Sequence, residues 1–176
     1  MIEGRAWTFG DDINTDVMIP DDVLYGSEQS QTKALFRDFR PGWVDQVEIG
    51  DIVVAGRDFG LGSSRPAARS LVNVGISLLI AESISPLFFR GCVSYGLVAF
   101  SCPGILAVVG EGNVLHADAR TGEMMNLTTG ARLSGQMVPA DLLATMQASG
   151  TLPMLEAQGL ISPVKRHNAP KNKQEL

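Results

Sequence analysis

Short apolar segments alternate with glycine turns and mixed segments through the middle of the chain. The apolar segments 51–56, 76–81 and 97–100 are typical of buried strands, and the segments 66–73 and 85–92 between them have the spacing of helices. Strands that alternate with helices usually pair in parallel through right-handed crossovers. The pattern therefore predicts an α/β domain built around parallel strands.

The pattern is different on both sides of this region. A strand is predicted at 4–9, followed by a polar turn at 10–16. After residue 104, short apolar segments are separated by turn signals, which predicts largely antiparallel strands. These strands are predicted at 105–109, 114–117, 124–127 and 128–133, and a last helix at 139–149. The sheet is therefore expected to be mixed.

Two polar segments predict irregular structure. Residues 21–42 are rich in Ser and Gln, which favours a mobile loop with a possible helix at 32–39. Residues 165–176 have the composition of a disordered tail. With a length of 176 residues, the chain is expected to form one domain, 1–164, followed by that tail.

The composition narrows the possible functions. An apolar content of 45% and a charged content of 19% are typical of a soluble globular protein, and the net charge of −5 argues against nucleic acid or an anionic membrane as the main partner. No apolar run reaches the roughly 20 residues of a membrane span, and the first residues do not resemble an export signal. We therefore expect a cytoplasmic protein, with small anionic ligands still possible.

The cysteines and histidines are too few for a metal centre. Cys92 and Cys102 lie in apolar segments and are expected to be free core residues of a reducing compartment. Beyond them, His116 is the only further candidate ligand outside the polar tail. No metal ligand set is therefore expected in this chain, and any iron–sulfur cluster must come from a partner.

The strongest candidate site is a glycine-rich turn at 56–65, between a predicted strand and a predicted helix. Glycines there allow positive φ and a close approach of a ligand, and a helix start presents N–H groups to negative charge. Arg65 can bind a carboxylate through two parallel hydrogen bonds. One of Ser63 and Ser64 could instead be only a helix N-cap. No Gly-Lys-Ser or Gly-Lys-Thr is present, which excludes a phosphate loop.

Five blocks of the sequence resemble the small subunit of 3-isopropylmalate dehydratase, the swivel domain of the aconitase superfamily. They are the Asn-Thr-Asp turn at 12–20, the glycine turn at 56–65, and the segments 80–90, 96–97 and 126–130. The blocks occur in the family's order and spacing, and the resemblance extends over about residues 4–160. Five ordered blocks are far more specific than the Ser-Ser-Arg sequence alone.

The resemblance implies a fold, a reaction and a partner. The fold would be an α/β three-layer β/β/α swivelling domain of the aconitase/isopropylmalate isomerase small-subunit type, with a mixed sheet. The reaction would be the isomerisation of 2-isopropylmalate and 3-isopropylmalate by dehydration and rehydration, in leucine biosynthesis. The chain would be the small subunit of a heteromeric hydro-lyase whose large subunit carries a [4Fe–4S] cluster, with no nucleic-acid or membrane partner.

The resemblance also implies roles for individual residues. Ser63 would be the base that removes a proton beside a carboxylate, and Ser64 and Arg65 would bind substrate carboxylate oxygens. A serine hydroxyl is a weak acid, so the turn's N–H groups and Arg65 would have to stabilise the alkoxide. Further residues expected to contact the substrate are Gly62, Asn14, Thr15, Asp16, Leu24 and Tyr25, of which the last two belong to a loop suited to an alkyl branch.

Two positions depart from the family pattern. Pro66 stands where the family usually has Glu, and Gly91 follows Arg90 where the family commonly has Asn. These departures leave the substrate open, since another substituted malate or a citrate-like acid suits the same architecture. A non-catalytic anion-binding or regulatory module is an alternative of another class. Arg90 could contact substrate or partner, or only a surface carboxylate.

Overall fold

A mixed sheet of seven strands forms the centre of the computed structural model, which describes residues 1–163. The strands are β1 (Ile2–Thr8), β2 (Ile52–Ala55), β3 (Leu78–Ala81), β4 (Val98–Ser101), β5 (Val114–Asp118), β6 (Glu123–Asn126) and β7 (Arg132–Ser134). Their order across the sheet is β4-β3-β2-β1-β5-β6-β7. The α/β class with a mixed sheet, predicted from the sequence, is confirmed.

Strand β1 joins a parallel half of the sheet to an antiparallel half. Its C-terminal part pairs in parallel with β2, with Ala6 opposite Ile52. Its N-terminal part pairs antiparallel with β5, with Gly4 opposite Leu115. The parallel half continues through β3 and β4, and the antiparallel half through β6 and β7. One seven-residue strand therefore couples the two halves.

Eight α-helices occur within residues 1–163, together with a 3-10 turn at Asp21–Val23. They are α1 (Thr15–Met18), α2 (Glu28–Lys33), α3 (Trp43–Gln46), α4 (Ala67–Val74), α5 (Pro86–Tyr95), α6 (Ile105–Val108), α7 (Ala140–Gln147) and α8 (Thr151–Ala157). Helix α5 packs against α4, α7, α8 and β4, and α4 also contacts α2. Glycines in the left-handed conformation end α4 and α5, at Gly75 and Gly96.

The core lies between the parallel strands and the helices. The four residues of β2 and the four of β3 are fully buried. Beside them is an aromatic cluster in which the Phe9 ring stacks on Phe36 at 4.6 Å and meets Phe59 edge-on at 6.4 Å. Cys92 and Cys102 are both free and buried in this core, as predicted. Within residues 1–163, no helix has the length and apolar character needed to cross a bilayer.

The strand predicted at 105–109 is wrong, because residues 105–108 form helix α6. Gly104 precedes it with φ +86°, and the Glu82 carboxylate accepts hydrogen bonds from the N–H groups of Gly104 and Leu106 at 2.6 and 3.2 Å. These contacts satisfy N–H groups at the helix start and place a negative charge there. The strand predicted at 128–133 is also shorter than expected, since residues 127–129 form a turn before β7.

The segment 21–42 is more structured than the mobile loop that its composition predicts. The helix there is α2, which begins after the N-cap Ser27 and ends before Phe36, whose φ of +57° is incompatible with a helix. The predicted helix at 32–39 is therefore wrong in its position. Leu35 and Phe36 are fully buried, so this segment contributes to the core.

The remaining predicted elements are confirmed with small shifts at their ends, and helices α1, α3 and α8 are additions to them. The domain predicted at 1–164 stays a prediction at its boundary. The predicted tail, 165–176, lies outside the described residues.

Candidate functional site

The glycine turn connects β2 to α4 and lies against the Asn-Thr-Asp turn. The N–H of Gly60 donates to the carbonyl of Ile13 at 2.7 Å, and the N–H of Thr15 donates to the carbonyl of Leu61 at 2.8 Å. Asn14 and Leu61 form an isolated parallel bridge. Two segments more than 40 residues apart in the sequence, each of which was expected to contribute to a site, therefore meet in one place.

Two glycines of the turn are required by its geometry. Gly60 has φ +82°, and a Cβ there would lie 2.2 Å from Cγ of Phe88 on α5. Gly62 has φ +99°, and a Cβ there would lie 3.2 Å from Oγ1 of Thr15. Both conformations are unfavourable for other residues. The turn can therefore approach α5 and α1 closely only with glycine at these positions.

Ser63 lies at the centre of a polar cluster. Its Oγ accepts a hydrogen bond from Nε of Arg65 at 3.3 Å and donates one to Oδ1 of Asp16 at 3.4 Å. Oγ1 of Thr15 donates to the Ser63 carbonyl at 2.9 Å and is 3.5 Å from its Oγ. The Ser63 side chain is exposed. Its hydroxyl is thus accessible to a ligand while a cation and a carboxylate lie beside it.

Arg65 is held in a fixed position. Its side chain is only 10% exposed, and Nη1 donates to the carbonyl of Ile19 at 2.6 Å. Nε forms an ion pair with Oδ1 of Asp16 at 2.8 Å, and Nη2 pairs with Oδ1 of Asp21 at 2.7 Å. These contacts leave part of the guanidinium's hydrogen-bonding capacity unused. The group is therefore positioned for an anion before one arrives.

Neither Ser63 nor Ser64 is the N-cap of the following helix. Helix α4 begins at Ala67, and its N-cap residue is Pro66, which makes no side-chain capping hydrogen bond. Ser64 is exposed. The alternative in which one of these serines serves only as a cap is therefore wrong.

The Asn-Thr-Asp turn has a structural task and a task in the site. Asn14 is the N-cap of α1, and its Oδ1 accepts the N–H of Val17 at 2.9 Å. This cap fixes the start of α1, so that Thr15 faces Ser63 and Asp16 faces Arg65. Asn14 therefore contributes to the site by fixing the positions of Thr15 and Asp16.

A cavity of about 140 Å³ opens beside this cluster. Ser63, Ser64 and Arg65 line it on one side, and α5 lines the other with Phe88, Arg90 and Tyr95 among others. The structure therefore places Arg90 at the site, where sequence reasoning left several roles open. Asp21 is a residue of the site that sequence reasoning missed, and nothing in the local sequence distinguishes it from Asp22.

Leu24 and Tyr25 are outside the wall of this cavity. Leu24 packs partly against the core, and Tyr25 is 96% exposed. Helix α2, which follows them, is tied to α4 by Arg69, whose Nη1 and Nη2 donate to Glu28 and Gln31 at 2.8 and 2.7 Å. The role of Leu24 and Tyr25 in selecting the substrate stays a prediction.

The thiols of this chain are poorly suited to bind iron. Burial raises the pKa of the Cys92 thiol far above its usual range and raises the pKa of Cys102 to about 11. A thiol must lose its proton to bind a metal. Among residues 1–163, no group of three or more His, Cys, Asp or Glu side chains is arranged to hold a metal ion.

Comparison with known proteins points to one family. Residues 18–103 match the family described as the Aconitase C-terminal domain, a span that includes the glycine turn, Arg65 and α5. The chain is 38% identical over 158 residues to the isopropylmalate/citramalate isomerase small subunit of Methanocaldococcus jannaschii, covering 89% of this chain and 94% of that protein. It is 36% identical to the 3-isopropylmalate dehydratase small subunit of Heliobacterium modesticaldum, covering 85% of this chain and 91% of the relative.

A solved structure has the same fold. The crystal structure of 3-isopropylmalate dehydratase from Methanocaldococcus jannaschii superposes with a TM-score of 0.83 at 26% sequence identity. The match covers 90% of this chain and 95% of the other. The similarity therefore extends over most of the length of both chains.

Proposed function

Since the chain belongs to the family of 3-isopropylmalate dehydratase small subunits, we propose that it is the small subunit of a cytoplasmic hydro-lyase of leucine biosynthesis. The enzyme interconverts 2-isopropylmalate and 3-isopropylmalate by loss and return of water. The observation that carries this proposal is the exposed Ser63 hydroxyl beside the fixed Arg65 guanidinium, at the edge of a cavity.

Ser63 is the group that takes the proton from the carbon beside a substrate carboxylate. The Arg65 Nε lies 3.3 Å from Ser63 Oγ. It stabilises the negative charge on that oxygen when the Ser63 hydroxyl has lost its own proton. Ser64 and the remaining N–H groups of Arg65 hold the carboxylate next to the reacting carbon. Fixing both groups on one turn aligns the base with the proton that it removes.

Asp16 sets the resting state of this serine. Its carboxylate accepts the Ser63 hydroxyl at 3.4 Å, and a negative charge at that distance opposes formation of an alkoxide. The ion pair from Asp16 to Arg65 reduces that effect. Ser63 is therefore protonated in the isolated chain, and it becomes a base only when substrate and the large subunit complete the site.

The cluster chemistry belongs to a partner. The two buried thiols do not fit a [4Fe–4S] cluster. A cluster on the large subunit supplies the Lewis acid that assists loss of the substrate hydroxyl. The small subunit alone is accordingly inactive.

A second candidate substrate is supported by one relative. The similar protein from Methanocaldococcus jannaschii is named as an isopropylmalate/citramalate isomerase small subunit. A methyl-branched malate is therefore the second candidate for the present chain. Leu24 and Tyr25 are the residues we assign to the branch of the substrate.

The test is activity of the reconstituted complex. The chain is expressed together with a cluster-bearing large subunit from the same genome and purified without oxygen, and the unsaturated acid is followed by its absorbance. We expect turnover only with both chains, and loss of turnover by at least about a thousandfold in Ser63→Ala. Ser134→Ala, on exposed β7, is the matched control and should behave like the parent.

Each outcome distinguishes the candidates. Faster turnover of citramalate than of isopropylmalate would favour the second substrate and leave the mechanism unchanged. Full activity of Ser63→Ala would remove the serine from the mechanism. A complex that turns over no hydroxy-diacid would favour the non-catalytic anion-binding or regulatory module.

A further inference from the structure

Arg90 differs from most arginines of this protein because it has no acidic partner among residues 1–163. Of the arginines within residues 1–163, all but Arg90 and Arg132 form an ion pair with a carboxylate. Arg90 also donates no hydrogen bond to another described residue. A cation without a partner is available to an anion from outside the chain.

The position of Arg90 directs it to the candidate site. Arg90 lies on α5, and Leu87 and Ser94, which are at helical spacing from it, line the same cavity together with the adjacent Gly91. The opposite side of that cavity is formed by the turn that carries Ser63 and Arg65. Helices α4 and α5 pack together. The turn before α4, which carries Arg65, is therefore held next to the helix that carries Arg90.

The charge of the cavity favours an anion. Its lining contains two arginines, Arg65 and Arg90, and no carboxylate, although the whole chain has a net charge of −5. Arg65 is already paired with Asp16 and Asp21, whereas Arg90 is not. The uncompensated positive charge of the cavity wall is therefore that of Arg90.

Gly91 leaves room next to this charge. Its φ is outside the left-handed region, and a Cβ there would meet only the Cβ of Ala68, at an ordinary 3.6 Å. The backbone does not require glycine at this position. Its effect is to keep the cavity wall beside Arg90 open to a ligand.

We infer that Arg90 binds the second carboxylate of the hydroxy-diacid substrate, while Ser64 and Arg65 hold the first. This inference rests on the proposed function and adds a substrate-binding residue to it. The two positively charged side chains then bracket the carbons between the carboxylates, which places the reacting C–H next to Ser63. Discrimination against monocarboxylic acids follows from this arrangement, since a monoacid leaves one cation without an anion.

The experiment compares diacid and monoacid ligands. In the assembled complex, Arg90→Gln should raise KM for 3-isopropylmalate and Ki for isopropylmaleate, a diacid, by roughly 10–100-fold. The Ki of 4-methylpentanoate, a monoacid, should change less than about twofold, and kcat should change little. Arg90→Lys should fall between parent and Arg90→Gln, because Lys retains the charge without the planar fork. Arg132→Gln, which removes the other arginine without a carboxylate partner within residues 1–163, is the matched control.

Two results would overturn the inference. Equal effects on diacid and monoacid would show that Arg90 acts on the structure of the cavity. Weaker assembly with an unchanged KM at saturating small subunit would assign Arg90 to the partner interface.

A binding experiment tests the role of Arg90 even if the proposed function is wrong. If the parent complex turns over no diacid, the proposed function fails, and Arg90 is then tested in the full-length chain by titration with isopropylmaleate followed by NMR. A Kd at least about tenfold weaker in Arg90→Gln than in Arg132→Gln would still support the second anion-binding residue. Equal Kd values would overturn it.

Discussion

At the scale of single residues, two adjacent carboxylates have different partners. Asp21 pairs with Nη2 of Arg65 at 2.7 Å, whereas Asp22 pairs with Nη2 of Arg37 at 2.9 Å. Because a substrate carboxylate must compete with Asp21 for Arg65, we expect Asp21→Asn to lower KM for the diacid about two- to fivefold, the range that an exposed ion pair allows. Steady-state kinetics of the assembled complex measures this change.

Asp22→Asn is the control, since it removes a similar charge one residue away without touching Arg65. A KM that falls equally in both variants would mean that general electrostatics, and not competition for Arg65, is responsible. The sequence could predict Arg65 as a carboxylate-binding residue because of its place after a glycine turn. It could not predict Asp21, since only the folded chain brings that carboxylate to Arg65.

At the scale of elements, Asp51 ties the start of β2 to β1 through one oxygen atom. Its Oδ2 accepts hydrogen bonds from Nη2 of Arg5 at 2.8 Å, from Nε1 of Trp7 at 2.7 Å and from the N–H of Glu48 at 2.8 Å. Burial raises the pKa of this carboxyl, but the three hydrogen bonds outweigh burial and hold the pKa below its ordinary value. The charged form of Asp51 therefore stabilises the fold.

The pH dependence follows from the sign of that shift. A lowered folded-state pKa gives stability that is present above the unfolded pKa, roughly 4, and lost as pH falls through the folded value. Asp51→Asn should lower the free energy of unfolding by about 1.5–3 kcal/mol at pH 7. The difference in unfolding free energy between this variant and the parent should become smaller below about pH 4. Urea unfolding at several pH values measures it, with exposed Asp45→Asn as the control. A stability difference that does not change with pH would exclude the charge of Asp51 as its cause.

The same scale shows what sequence patterns can predict. The strands β2 and β3 were predictable because each is a continuous apolar run that is buried on both faces. The segment 105–108 has an equally apolar sequence but is a helix, because Glu82 binds the N–H groups at its start. That carboxylate is 22 residues from Gly104, so a local pattern cannot contain the information. The contact between the Asn-Thr-Asp turn and the glycine turn likewise depends on tertiary structure. The resemblance to a family, and not the local sequence pattern, indicated that both turns contribute to one site.

At the scale of the whole molecule, the two halves of the sheet share β1 and should unfold together. Gly4 lies on β1, and a Cβ there would be 2.1 Å from the carbonyl oxygen of Gly50. Gly4→Ala must therefore displace backbone and should cost about 1–3 kcal/mol or more. Because β1 pairs with both β2 and β5, we expect equal loss of hydrogen-exchange protection at slow amides of β3 and of β6.

Gly10→Ala is the control for replacing a glycine by alanine without a steric clash, since a Cβ at Gly10 meets nothing within 4 Å. It should leave exchange at both strands near the parent rates. In Gly4→Ala, faster exchange at β6 with unchanged protection at β3 would mean that the antiparallel half opens alone. That result would separate the sheet into two units, and the site would then belong to the parallel half, because both β2 and α4, which the glycine turn connects, lie there. Equal acceleration in both strands means instead that the site turn is supported by the entire sheet.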